Sequence, residues 1–424
     1  MNDLFRVINL DDKEKIGNLS VEAHSQVKST KYFPIYMIDG KKMIFKPLSR
    51  TKPHTTPLFA YSEVYWSYII NKYFDSKAPR YYLAVSSEIE KEQPKYYDRG
   101  VLVESLTPNG EELISIYDYF CKYPEDSFSI QGYVNYCMVN YYYTPILNSE
   151  FIRNNPLIGE GLSLQILLAE LRQDQNYHYE NVNLMEVDGK LVVVPPIDFE
   201  FSTPFMLPDK GIYCDIEGER SQAEQWDYLN GLAVRYVDDG YMKRQKEFYG
   251  EDYKYLAYPT KANICAILRL YPHIILDFIK KLEILIQDIP NIKINDPDNY
   301  IGPLNSSYWK VGYAYFKDND LEKYEKLKKE IILQEIDKES AFRRISSNIL
   351  KDAQYFNLYL KIYWLAYCEG IENLEELTQK ELLTKLNIYD DVMIEDIDVN
   401  TKKLTLRKVD DNQFYYDYYG RKIL

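Results

Sequence analysis

Across 424 residues the sequence holds only five cysteines and four histidines. The cysteines (Cys121, Cys137, Cys214, Cys265 and Cys368) are scattered, odd in number and never spaced as Cys-x-x-Cys. That pattern excludes a disulfide framework and a cysteine-built zinc site, and it suits a reducing compartment. So few histidines argue against a His-rich metal centre as well. No run of about 20 apolar residues exists, so no membrane-spanning helix is expected. The nearest approach, Ile264 to Ile286, is broken by Arg269, Pro272, His273, Asp277, Lys280, Lys281 and Glu283. It reads as one or two buried amphipathic helices. The opening stretch, MNDLFRVINLDDKEK, is charged and lacks the apolar core of a secretory signal, so a cytoplasmic protein is expected. Positive charge is in deficit too: 51 basic against 65 acidic residues, a net charge of −14. A general nucleic-acid or anionic-membrane binder needs the opposite field. A local basic groove stays open. Internal repeats and low-complexity tracts are absent.

What is present describes a folded globular chain. Hydrophobic residues make up 46% and charged residues 27%, enough apolar material for a large core. The length suggests two to three domains on a prior of about 150 residues each. The 43 tyrosines read as a bias of genome composition rather than as a functional signal.

The chain falls into three stretches. Residues 1–106 are strand-rich with one good helix. Lys31 to Pro47 reads as a hairpin turning at Asp39-Gly40, because Asp-Gly between two apolar runs suits a tight two-residue turn. Thr56 and Pro57 suit the cap and first position of a helix that runs from Leu58 to Phe74. Strands are expected at Tyr81 to Ser86 and Arg99 to Ser105. Residues 107–290 are mainly helical, with helices expected near 111–122, 128–142, 161–172, 221–237 and 262–287. A second Asp-Gly hairpin interrupts them, from Asn181 through Asp188-Gly189 to Asp198. Residues 291–424 open on a Pro- and Asn-rich linker. Charged helices near 319–336, 340–369 and 372–386 follow, with a last hairpin at 392–408 turning at Asn400-Thr401. This stretch is expected to be a helical extension, for which a solvated charged helix is the first reading and partner docking the second.

Four features stand in a telling order. Lys46 ends an apolar strand, Glu63 lies in the next helix, Asn176-Tyr-His178-Tyr-Glu-Asn181 precedes the second hairpin, and Asp198 follows it. Alone, Lys46 reads as a solvated strand end and Glu63 as a surface acid. Together they match the needs of phosphoryl transfer. A strand lysine neutralises nucleotide phosphates and a helix glutamate holds it, while an asparagine and an aspartate downstream hold magnesium against the phosphates. The strand Arg-Gly-Val-Leu-Val-Glu-Ser would then put backbone groups from Glu104 to Leu106 against an adenine ring.

These motifs resemble the HipA family of bacterial serine/threonine kinases, over about Ser20 to Pro290. The family has a Gln-x-Lys element in its phosphate-covering segment, here Gln26-Val-Lys28. It has a Lys-Pro strand end, here Lys46-Pro47, and a helix glutamate, here Glu63 of Ser62-Glu63-Val-Tyr65. Its catalytic segment is Asp-x-His-x-x-Asn and its metal segment is Tyr-Asp followed by Ser, matched here by Asn176 to Asn181 and by Asp198 to Ser202. The resemblance implies an α+β, two-lobed protein-kinase-like fold with a small strand-rich N-terminal lobe and a larger helical one. It implies ATP and Mg2+ as cofactors, a protein serine or threonine as acceptor, and an antitoxin-like or regulatory protein as a partner. Gln26, Lys28, Lys46, Glu63, Glu104 and Leu106 would bind nucleotide, and Asn181 and Asp198 the metal.

Two departures stand out. The family's catalytic aspartate is Asn176 here, and an amide has no carboxylate to take a proton. Three explanations are open: a substituted variant of an active enzyme, a natural pseudokinase, or Asp174 serving in its place. His178 is expected to order the loop. The phosphate-covering segment also has no glycine from Asn18 to Asp39, so it is expected to close less tightly over phosphates. Ser20, Ser25, Ser29 and Thr30 are candidate autophosphorylation sites by resemblance. A small-molecule or lipid kinase, and a helical protein with chance matches, are the remaining alternatives.

Overall fold

A computed structural model describes residues 4–22, 30–49, 57–92, 96–107, 112–123, 143–172, 174, 177, 181–197, 199, 202, 259–301, 304–305, 335–336, 338–377, 379–388, 392–408, 415–416 and 422–423. They form a mixed α/β structure with a strand-rich sheet region and a helical part. The chain divides into two units: Met1–Glu112, Ile197–Ile216 and Pro290–Asn348 form the first, and Leu113–Pro196, Glu217–Ile289 and Ile349–Leu424 the second. The stretch 291–424, expected as a single extension, is therefore shared between them. Phe199 belongs to the same unit as Lys46 and Glu63, while Asp174, Tyr177 and Asn181 belong to the other.

The first unit is built on a six-stranded sheet. Its strands are β1 (Val7–Asn9), β2 (Glu14–Glu22), β3 (Thr30–Ile38), β4 (Lys41–Ser49), β5 (Tyr81–Val85) and β6 (Tyr96–Glu104), in the spatial order β1-β5-β6-β4-β3-β2. Only the β1–β5 pair is parallel. β3 and β4 turn at Asp39 and Gly40, whose φ angles of 50° and 75° are both left-handed, as a two-residue turn matched to sheet twist requires. β2 extends through Ser20 to Glu22, residues read from the sequence as part of a covering segment. Burial alternates along β4. Met43 and Phe45 enter an apolar cluster with Leu10, Tyr36, Ala84, Ile89 and Leu102, and Ile44 and Lys46 point to the other face.

The helix α1 (Pro57–Tyr73) begins with proline at its first position, where the missing N–H costs nothing. Leu58 through Ser67 are all buried, so this part of the helix is covered on every side. Phe5 stacks on Tyr61 with ring centroids 4.7 Å apart, and Phe342 stacks on it at 5.8 Å. The Tyr61 hydroxyl donates to Asp296 Oδ1 at 3.0 Å, and Asp296 Oδ2 accepts from Lys338 at 2.9 Å. The Tyr300 hydroxyl donates to the Gly100 carbonyl at 2.6 Å. The segment after Pro290 is thus a structural part of this unit. Gly100 is required where it stands: a Cβ there would lie 2.2 Å from the Lys46 carbonyl oxygen and 2.7 Å from Pro47 Cα.

In the second unit, β7 (Ile114–Ser115), β8 (Asn183–Val187) and β9 (Lys190–Val193) form a small antiparallel sheet. β8 and β9 turn at Asp188-Gly189 with φ angles of 52° and 72°, the same turn chemistry as in the first unit. Ser115 caps the helix Ile116–Lys122 by accepting from the Asp118 N–H at 2.9 Å. The helix Pro156–Arg172 is buried from Gln165 to its end. The helical stretch over 262–287, read as one helix or two, is two: Pro259–Leu270 and Pro272–Asp288. Pro272 has no N–H to continue the first and forces Tyr271 out of the helical region (φ −137°, ψ 55°). Among the described residues, no single helix is long and apolar enough to cross a membrane.

The helix Lys338–Cys368 begins in the first unit and ends in the second. The helix expected over 372–386 shortens to Gln379–Lys385. Glu335–Ile336, expected at a helix end, pairs instead as a strand with Leu304–Asn305. The final hairpin, Val392–Asp398 with Lys403–Lys408, turns at the expected place. The helices expected over 128–142 and 221–237 lie outside the described residues.

Candidate functional site

Lys46 sits on β4 opposite Val101 of β6. Its Nζ donates to Glu63 Oε1 at 2.8 Å, a charge-assisted bond between strand and helix. The Glu63 side chain is 2% exposed and that of Lys46 is 22% exposed. A carboxylate so buried must be fully bonded to keep its charge. Its second oxygen, Oε2, accepts the N–H of Phe199 at 2.7 Å. The helix residue before it completes the hold: Ser62 Oγ donates to the Phe199 carbonyl at 2.5 Å, and Ser202 Oγ donates to the same oxygen at 3.1 Å. Two adjacent residues of α1 therefore fix both polar groups of the residue that follows Asp198. Phe199 is fully buried, its ring 5.5 Å from that of Tyr81, and Lys46 Nζ lies 6.0 Å from the same Tyr81 ring. The reading of Glu63 as a surface acid is thereby overturned.

At the end of β6, the Glu104 side chain accepts from Lys41 at 2.7 Å. The N–H of Glu104 donates to the Arg80 carbonyl and that of Ser105 to the Lys42 carbonyl, each at 3.0 Å. Leu106, half-buried, follows directly.

In the second unit, Arg172 Nη2 donates to Asp174 Oδ2 at 2.7 Å, with both side chains buried. Tyr177 is buried beside Tyr143, ring centroids 5.1 Å apart, and its hydroxyl donates to Gln165 Oε1 at 3.4 Å. Burial pushes the Tyr177 phenol well above its ordinary range, against the opposing pull of the Arg172 guanidinium. Gln165 Nε2 in turn donates to the Val194 carbonyl, and the Val194 N–H to the Asn183 carbonyl, so the open end of the β8–β9 ladder is tied to the Pro156–Arg172 helix. Asn181 sits half-buried in the turn leading into β8. Gln26, Lys28, Asn176, His178 and Asp198 lie outside the described residues.

The structure thus joins Lys46 to Glu63 and adds Ser62, Tyr81 and Phe199, to which sequence reasoning gave no role, and Ser202, which it matched to the serine of the metal segment. Ser62 and Phe199 each adjoin a residue that it singled out. The choice of those neighbours as partners depends on tertiary folding and leaves no periodic signal. Gly100 had a signal, a glycine inside a strand, which marks a close backbone approach.

No protein-family model and no curated protein sequence matches the chain. Among solved structures, a crystal structure of a Helicobacter pylori proinflammatory kinase, CtkA, aligns over 77% of this chain and 100% of its own, with 12% sequence identity and a TM-score of 0.39.

Proposed function

We propose that the chain is an ATP- and magnesium-dependent kinase of HipA-like type, acting on a protein serine or threonine. The observation that carries this reading is the relay from Lys46 through the buried Glu63 to the backbone of Phe199. A lysine held by a buried glutamate, which also holds the segment after an aspartate, is what phosphoryl transfer asks of a strand, a helix and a metal-binding segment. In this reading Lys46 presents its ammonium to nucleotide phosphates, and Glu63 keeps it from swinging away. The amides of Glu104 and Ser105 are already used by the Arg80 and Lys42 carbonyls. Adenine contact is therefore assigned to the Glu104 carbonyl and the backbone of Leu106. Gln26 and Lys28 are assigned to the segment that covers the phosphates. Magnesium, when bound, would neutralise phosphate charge, and Asn181 and Asp198 are the residues proposed to hold it.

The acceptor hydroxyl would face position 176. Asn176 can orient a hydroxyl by hydrogen bonding but offers no carboxylate to take its proton. Asp174 is held by Arg172 in a buried pair, which favours a structural role for it over that of base. Asn176 itself supports a second reading, a nucleotide-binding pseudokinase that acts by engaging a regulatory or antitoxin-like protein. The test is to compare the unaltered chain with Asn176→Asp in radiolabelled ATP and magnesium, with Lys46→Ala in the Asn176→Asp background as control. Label on the Asn176→Asp chain that disappears with Lys46→Ala is the expected result. Nucleotide binding without label in either chain would move the assignment to the pseudokinase.

A further inference from the structure

We propose that Ser62 is a positioning residue for metal-dependent nucleotide binding, acting through the backbone of Phe199; this rests on the kinase reading of the same site. The argument starts from the geometry at Phe199. Its N–H is fixed by Glu63 at 2.7 Å and its carbonyl by Ser62 at 2.5 Å, from consecutive residues of one helix. The N–H belongs to the peptide that joins Phe199 to residue 198, and the carbonyl to the peptide that follows. The Glu63 bond therefore holds the peptide on the side of residue 198, and the Ser62 bond keeps the backbone of Phe199 from turning against it. Ser62 is fully buried and its hydroxyl has no water to turn to, so its bond is an enforced contact rather than a surface accident.

The consequence is a division of labour within α1. Glu63 serves Lys46 and the Phe199 N–H together, so its loss would disturb the phosphate-binding amine and the metal segment at once. Ser62 touches only the Phe199 carbonyl among the site residues described. Its removal should therefore act on the metal-dependent part of binding and leave the rest. Ser202 still donates to the same carbonyl, so the effect should be graded rather than total.

The same helix supplies a matched control. Ser67, also buried, donates to the Pro79 carbonyl at 2.7 Å, away from Phe199. Ser62→Ala and Ser67→Ala each delete one buried serine-to-carbonyl bond and should cost similar stability. Nucleotide affinity is then measured for the unaltered chain and both variants, with and without magnesium, and amide exchange is followed at Phe199. The inference predicts that Ser62→Ala reduces the affinity gained on adding magnesium by about tenfold. It also predicts unchanged magnesium-free affinity, faster exchange at Phe199, and no such change for Ser67→Ala. Equal magnesium dependence in both variants would overturn the role of Ser62 and leave the kinase reading standing. Absence of nucleotide binding in the unaltered chain would overturn that reading and this inference with it.

Discussion

Among the described residues, two buried carboxylates that the sequence marks out, Asp174 and Glu63, form ion pairs that are built differently. Arg172–Asp174 is local, two residues apart, and closed: the side chains are 1% and 3% exposed. Lys46–Glu63 joins a strand to a helix, and its cationic side chain is the less buried of the two, with the lysine 22% exposed and the glutamate 2%. A closed pair has little to offer a ligand, and its value lies in holding a loop. A pair whose cationic side chain is partly exposed is the better candidate for a phosphate contact. Distance alone does not separate the two, at 2.7 and 2.8 Å. What separates them is exposure and the number of elements each ties together.

Several substitutions would break or sharpen that contrast. The largest expected effect is that of Asp174→Ala, which removes this partner from a buried guanidinium. It should lower stability by about 3–5 kcal/mol in denaturant titration, while the protein that remains folded still binds nucleotide. A loss of binding with unchanged stability would place Asp174 in the chemistry instead. Next is Lys46→Met, which deprives the buried Glu63 carboxylate of this cation and should cost about 2–3 kcal/mol, limited by the Phe199 N–H that still holds its other oxygen. It should also abolish nucleotide binding in a calorimetric titration. Gly100→Ala follows, whose Cβ would press on the Lys46 and Pro47 backbone. A cost of about 2 kcal/mol is expected, with weaker nucleotide binding because β4 must shift. Smallest are Gly40→Ala and Gly189→Ala, at φ angles of 75° and 72°. Each should lower stability by about 1 kcal/mol. The two losses should be equal, because each strain is confined to its own turn.

Much of the frame was legible in the sequence because it is written in local chemistry. Asp39-Gly40 and Asp188-Gly189 announce their turns, since few other residues take up left-handed backbone so readily. Pro57 announces a helix start, and β3 to β6 follow from apolar runs. The break at Pro272 was visible as a proline, though the periodicity on either side masked it. The site was legible only in part. Lys46 and Glu63 were found by their order along the chain. The burial of Glu63 was not, because its partners come from other parts of the chain: Lys46 on β4 and the backbone of Phe199, 136 residues away. Ser62 was unreadable for the same reason: its partner Phe199 lies 137 residues away. The strand pairing of Glu335–Ile336 was missed because two residues are too few to show a period.

The central claim is that Lys46, held by Glu63, is the phosphate-binding amine of a nucleotide site. Titrating ATP with magnesium into the unaltered chain and into Lys46→Met, with heat as the readout, tests it most directly. The account predicts saturable binding by the first and none by the second, with both folded. Equal binding by both, or none by the unaltered chain, would contradict it.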